Sequence, residues 1–356
     1  MDQVLNLTKK LITIPSISDN PKALKTVLEI CQKELSGFKF KEFENDGNFS
    51  LLFYNTETLP KVFKLILNAH LDVVPANDEH YLPKEKDGKL YGRGSYDMKT
   101  ASATFVLLFK EMAKKVNYPL GLQLVTDEEI GGFNGTKYQI DKGIKAEFVI
   151  AGENTNLEIN HESKGIIWLK ITTKGVSSHG AHPWYGENAI LKMKKVLNNL
   201  EKRYPIPSKP TWCTTVNLAK IETSNNALNK VPDECTAFLD IRFVPEEKNV
   251  ILGKLKKQLG TEVAVEVLAS EPAHLTDESN NYLKLLSSSI KEILGNEGKL
   301  ASHHGASDIR HYNKIGIEGV CFGPIGAGHH SDNEWVNIKS IEDYYKILKD
   351  FLISLK

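Results

Sequence analysis

The groups best able to hold a cation or move a proton stand at the ends of short apolar runs. "LILNAHLDVVP" closes on His70 and Asp72, two positions apart and so directed to one side of an extended chain. "LQLVTDEE" delivers Glu128 and Glu129, "FVIAGE" delivers Glu153, and "GVCFGPIGAGHH" delivers His329 and His330. Asp97 sits in the glycine-flexed loop "YGRGSYDMKT", just ahead of a helical pattern. Gathered in one crevice, these carboxylates would repel and raise one another's pKa. One or two divalent cations would relieve that repulsion. Imidazole and carboxylate ligands without thiolate suit zinc, with cobalt or manganese as alternatives. There are enough ligands for two ions about 3.5–4 Å apart sharing a carboxylate. Taken singly, "HLD" reads as a capped strand end, "DEE" as a solvated charge run and "DM" as a helix cap; it is their common placement at strand exits that points to a metal.

The elements that must position them read as an α/β layer structure. "PKALKTVLEICQKELSG" and "MKTASATFVLLFKEMAKKV" have helical spacing, whereas "FKLILNA" is a short, almost continuous apolar run and "GLQLVT" and "AEFVIAG" are short buried-strand patterns. Such runs belong to strands covered on both faces, and their alternation with helices predicts a mostly parallel sheet. In open sheets of this kind, sites lie beyond the carboxyl ends of the strands. The middle of the chain differs: "GIIWLKITTKG", "TWCTTVNLAKIET", "ECTAFLDIRFV" and "EVAVEVLAS" alternate, with helical segments after the first and third. The order β-α-β-β-α-β is the ferredoxin-like pattern. The chain is therefore read as a catalytic domain of residues 1–163 and 275–356 interrupted by an inserted domain of residues 164–274.

Composition bounds the partners. Lys+Arg and Asp+Glu both number 45, so the formal net charge is zero and no nucleic-acid or anionic-membrane partner is expected. The N-terminal "MDQVLNLTKKLITIPS" reads as an amphipathic helix, not a signal peptide, and no run is long enough to span a bilayer. Cys31, Cys213, Cys235 and Cys321 form no C-x-x-C pair, which argues against a disulfide scaffold and fits a cytoplasmic setting.

The stretches "HLDVVP", "GRGSYDMK", "TDEEIGG", "GVSSHGAHPWYGENAI", "NALNKVPDECTAFLDIRF", "GASDIR" and "HSDNEWV" occur in one order over nearly the whole chain. In this they resemble the zinc-dependent deacylase and peptidase family that includes succinyl-diaminopimelate desuccinylase, acetylornithine deacetylase, aminoacylase and glutamate carboxypeptidase. The resemblance implies the fold just described, with the inserted domain serving as lid or dimerisation domain. It implies two metal ions, one held by His70, Asp97 and Glu153 and the other by Asp97, Glu129 and His330, with Asp97 bridging. His330 is preferred to His329 because it opens "HSDNE". Asp72 would orient the His70 ring, and Glu128 would be the general base that takes a proton from the activated water and returns it to the leaving amine. His179, with His182 as the nearby competitor, would reach a partner subunit's site and stabilise the oxyanion. Asn217, Arg242 and Arg310 match positions that hold substrate, the arginines gripping a carboxylate with a planar fork. Thr100 stands where the family usually has glycine, and Ala306 where desuccinylases often have threonine. Asp127 gains no role and is read as solvated; "HESKG" and the pair His303–His304 are unexplained.

The implied reaction is hydrolysis of the amide of an N-succinyl or N-acetyl amino acid by a homodimeric cytoplasmic enzyme. Alternatives are a dipeptidase or carboxypeptidase of the same family, a single-metal aminopeptidase of another family, and a binding homologue without catalysis. The presence of Glu128 beside a complete ligand set weighs against the last.

Overall fold

The computed structural model describes residues 2–355. It divides into two compact units: Met1–His161 with Leu275–Ala301 and Ser307–Lys356, and Glu162–His274 with Ser302–Ala306.

In the first unit, four parallel strands form the middle of a mixed sheet. Phe63–His70 lies between Leu120–Val125 and Ala146–Ala151, and Glu318–Cys321 pairs with the far side of Ala146–Ala151. An antiparallel hairpin, Lys39–Asn45 with Asn48–Tyr54, extends the edge beside Leu120–Val125. Every residue of Leu120–Val125 is buried, Gln123 included, its amide bonded to Asn68 and Gln139, as in a strand covered on both faces. The covering helices are the expected ones. Pro21–Glu34 starts at a proline after Asn20, whose side chain accepts from Ala23 N. Lys99–Met112 buries almost its whole surface, and Ile338–Ser354 is capped by Asn337. The register keeps the carboxyl ends of the parallel strands nearly level. His70 pairs with Val125, Asn68 with Ala151, and Ala151 with Cys321. Whatever follows each strand therefore emerges at one edge of the sheet.

The second unit is a four-stranded antiparallel sheet in the order Thr215–Glu222, Glu234–Phe243, Gly165–Lys174, Val263–Glu271. Helices Ala189–Arg203 and Ile251–Leu259 complete the β-α-β-β-α-β sequence. The alternation in Gly165–Lys174 is realised residue by residue, with Gly165, Ile167, Leu169, Ile171 and Thr173 buried beneath the helices. Both units thus take the fold class expected from the pattern. A small sheet of Lys84–Lys86, Lys89–Tyr91, Gly326–Ala327 and Trp335–Asn337 in the first unit had no signal, its strands being two or three residues long.

Candidate metal centre

The level strand ends bring His70, Glu128, Glu129 and Glu153 together, and the loop before Lys99–Met112 adds Asp97. Asp97 is the hub: its Oδ1 lies 3.2 Å from His70 Nε2 and its Oδ2 3.4 Å from His330 Nε2. Around this axis, Glu153 Oε2 is 3.9 Å from His70 Nε2, and Glu129 Oε2 is 3.0 Å from His330 Nε2. One carboxylate thus faces two imidazoles, each flanked by a further carboxylate. Ligand-capable atoms of His70, Glu128 and Glu153, and those of His70, Asp97 and Glu129, form two groups whose members lie within 4.8 Å of one another. Glu128 is therefore as near His70 and Glu153 as a ligand would be.

Asp72 is fully buried behind the histidine. His70 Nδ1 faces the Asp72 carbonyl at 3.0 Å and its carboxylate Oδ1 at 3.5 Å, while Oδ2 accepts from Glu129 N at 2.9 Å. The acid therefore touches both the ring of one candidate ligand and the backbone of another.

The electrostatics are those of a cluster built around positive charge. Burial disfavours the charged form of His70, yet its bonds to Asp72 and Asp97 and the charge of Glu153 carry its pKa well above the usual value. Bonds to Asp97 and Glu129 push His330 up to about 10. Burial, followed by the charge of Glu153, holds Glu128 well above the ordinary carboxylate range, and burial likewise raises Glu153. Burial opposes ionisation of Asp97 too, but the two imidazoles overcome it and hold its pKa low. Glu129 Oε1 and Glu153 Oε1 are buried without a hydrogen-bond partner. Protons on the histidines can offset only part of this charge; oxygen and nitrogen donors with idle buried lone pairs fit divalent cations. The donor set contains no thiolate.

The acid run is sorted by its turn. Asp127, expected to be solvated, is 1% exposed: its Oδ2 accepts from Asn134 N at 2.6 Å and its carbonyl from Gly132 N at 2.7 Å. It closes the turn that presents Glu128 and Glu129. Gly132 has φ +65°, and a Cβ there would lie 2.0 Å from Asp308 Oδ1, so only glycine fits. Asp308 in turn accepts from Thr136 Oγ1 at 2.5 Å. Arg310 is 3% exposed and donates to Ser307 O at 2.8 Å and Gly131 O at 2.5 Å, so its guanidinium is turned onto the same loop. Thr100, in the family's glycine position, is buried and donates to Ser95 O.

The remaining expected residues belong to the second unit. His179 is exposed; its Nδ1 accepts from Ala181 N at 3.1 Å, and Gly180 N donates to Asn229 O at 2.6 Å. Asn217 is exposed on the edge strand, opposite Asp240. Arg242 Nε donates to both Asp240 oxygens, at 2.9 and 3.2 Å. Arg242 also lines a cleft with Lys164, Thr215 and His304. Lys164 is 3% exposed and lies over the Trp212 ring at 5.7 Å. "HESKG" and His304 thus acquire a place beside Arg242, which no spacing rule could reveal because residues 164, 242 and 304 are far apart in the chain. Asp308 and Glu334 are likewise site-supporting acids without a periodic signal; both lie inside the quoted stretches "GASDIR" and "HSDNEWV".

The model of peptidase family M20/M25/M40 matches residues 66–354. A succinyl-diaminopimelate desuccinylase of Pelagibacter ubique is 29% identical, with 98% of this chain and 97% of that protein aligned. Among solved structures, the aminopeptidase PepT of Bacillus cereus superposes with a TM-score of 0.82 at 18% identity over 99% of this chain and 98% of that one. An M20 family metallo-carboxypeptidase of Sulfolobus solfataricus superposes with a TM-score of 0.76 at 20% identity over 99% of both chains.

Proposed function

Because this chain belongs to peptidase family M20/M25/M40 and is a hydrolase of that family, we propose that it cleaves the amide of an N-acyl amino acid, of the N-succinyl or N-acetyl kind. The observation that carries the metal-dependent reading is the Asp97 carboxylate facing His70 and His330 at 3.2 and 3.4 Å, with Glu153 and Glu129 outside them. His70, Asp97 and Glu153 would hold one divalent ion and Asp97, Glu129 and His330 a second, zinc by preference, with cobalt or manganese as substitutes. Such ions, when bound, polarise the scissile carbonyl and acidify water. Glu128 accepts the proton of the attacking water and delivers it to the leaving nitrogen. Burial and its acidic neighbours favour the protonated form, which suits the second half of that task. Asp72 fixes the His70 ring.

In the same proposal His179 stabilises the oxyanion in a partner subunit of a homodimer formed through the inserted unit. Asn217, Arg242 and Arg310 are the substrate-side residues. Arg242 is supported by its cleft with Lys164, a setting for a carboxylate on the acyl group. For Arg310 the buried bonds to Ser307 and Gly131 support loop bracing more directly than substrate contact. No described helix is long and apolar enough to cross a membrane, and a cytoplasmic setting is proposed.

The test is a panel of N-succinyl, N-acetyl and N-formyl amino acids with dipeptides, assayed with added zinc and after exhaustive chelation. Hydrolysis of the acylated amino acids that disappears on chelation and returns with metal is expected. Activity indifferent to chelation sinks the metal assignment. Cleavage of dipeptides alone makes the chain a peptidase of the same family, and metal binding without turnover of any of them makes it a binding homologue.

A further inference from the structure

Glu334 lies four residues beyond His330 and is 3% exposed. Its carboxylate is saturated. Oε2 accepts from Arg93 Nη1 at 2.7 Å and Gly94 N at 3.0 Å; Oε1 accepts from Tyr96 N at 2.9 Å and Asp97 N at 3.0 Å. A carboxylate offers about four lone-pair sites, so none is left for a metal. Its backbone carbonyl adds a fifth bond, from Gly92 N at 3.3 Å. One residue therefore accepts from the backbone of Gly92, Gly94, Tyr96 and Asp97 and from the Arg93 side chain, along the loop that ends at Asp97. The same residue belongs to the turn that presents His330. That turn is held against its own preference: His330 has φ +60°, which non-glycine residues seldom adopt and which persists only where the surroundings impose it. Gly328 has φ +77°, and a Cβ there would lie 2.5 Å from Asn333 O.

We propose that Glu334 is a positioning residue that locks the Asp97 loop to the His330 turn, so that affinity for the bound metal depends on a carboxylate touching neither metal nor substrate. This rests on the metal-centre reading above. Asp97 meets both histidines, so a displacement of its backbone moves it relative to both at once. The pair with Arg93, itself 3% exposed, adds a buried counter-charge that neither partner can lose without leaving the other bare.

The experiment uses the full chain with Glu334→Gln and Glu334→Asp. The amide of glutamine sets an N–H against two N–H donors at one end of the group. Aspartate keeps the charge but is one methylene shorter. Each protein is stripped of metal, checked by circular dichroism and melting, and titrated with zinc in competition with a chelator and with cobalt, followed by its visible absorption. Both variants are expected to fold, to bind zinc about 10–100-fold more weakly and to show an altered cobalt spectrum. Wild-type affinity and spectrum in a folded variant overturn the proposal. Failure of both variants to fold also overturns it, because Glu334 would then be a general folding residue. A wild-type chain that takes up no zinc or cobalt removes the metal reading itself, an outcome distinct from equal binding by wild type and variants.

Discussion

Replacing Glu128 by glutamine should make the metal-free protein more stable and the loaded enzyme inactive. Ligand-capable oxygens of Glu128 and Glu153 lie within 4.8 Å of each other. Two unit charges at that distance repel by about 3.5 kcal/mol at an effective dielectric of about 20. Folding therefore raises the Glu128 pKa from its ordinary 4.5, burial being the larger cause and Glu153 the next. The sign follows from proton counting. Between the unfolded and the raised folded value the folded state binds more protons, so stability falls as pH rises through that window and is unaffected below it. Glutamine removes the titrating group and with it the penalty. The metal-free variant should gain about 1–3 kcal/mol near pH 8, at roughly 1–2 °C of melting temperature per kcal/mol for a chain of 356 residues, and the gain should shrink toward zero near pH 4.5. Loaded with zinc, the same variant should keep its metal content and lose about 100- to 10,000-fold in turnover. Thermal melts in chelator at the two pH values, beside steady-state kinetics with metal, decide both halves. A gain of equal size at both pH values refutes the electrostatic reasoning; near-wild-type turnover refutes the assignment of Glu128 as the base.

Asp97→Asn keeps the shape of the bridging residue but halves its capacity as an anionic ligand, and isothermal titration should show metal affinity reduced at least 100-fold; unchanged affinity removes Asp97 from the centre. Gly132→Ala combines a left-handed backbone with a Cβ 2.0 Å from Asp308 Oδ1, and should cost about 2–4 kcal/mol in chemical denaturation. Arg310→Met strips two buried charged bonds from the Ser307 and Gly131 carbonyls and should lower stability by about 2–4 kcal/mol with KM little changed; a raised KM at intact stability would restore a substrate role. Arg242→Ala should raise KM for N-succinyl substrates about 10- to 100-fold and leave N-acetyl substrates nearly unaffected, and equal effects on both would refute a carboxylate grip.

The parallel strands and the covering helices were legible because each carries its own local signature: a short, mostly apolar run in Leu120–Val125, a cap and a proline at Pro21–Glu34. The candidate ligands were legible for a related reason. A strand exit is a place in the pattern, and residues such as His70 and Glu153 sit directly at one. What escaped depends on distance in the chain. Lys164 and His304 meet only once the second unit has folded, and Glu334 has no periodicity to mark it. Asp127 was misread because its neighbours are charged; its burial comes from Asn134 and Gly132 folding back over it. Arg310 shows the converse, an arginine whose type fits an anion but whose Nη1 and Nη2 donate to the Ser307 and Gly131 carbonyls.

The run of three acids at the end of Leu120–Val125 shows how adjacent, chemically similar side chains acquire different work. Asp127 is fixed by backbone N–H groups and closes the turn. Its neighbours open the single 3-10 turn Glu128–Ile130, in which successive side chains point about 120° apart, and Gly131 at φ +113° and Gly132 at φ +65° end it. Glu129 is drawn to His330 at 3.0 Å while Asp72 holds its backbone. Glu128 is left beside Glu153, where its proton affinity is raised. The 3-10 turn separates the two side chains with backbone conformation alone. Gly132 lets the chain close that turn, because a side chain there would collide with Asp308.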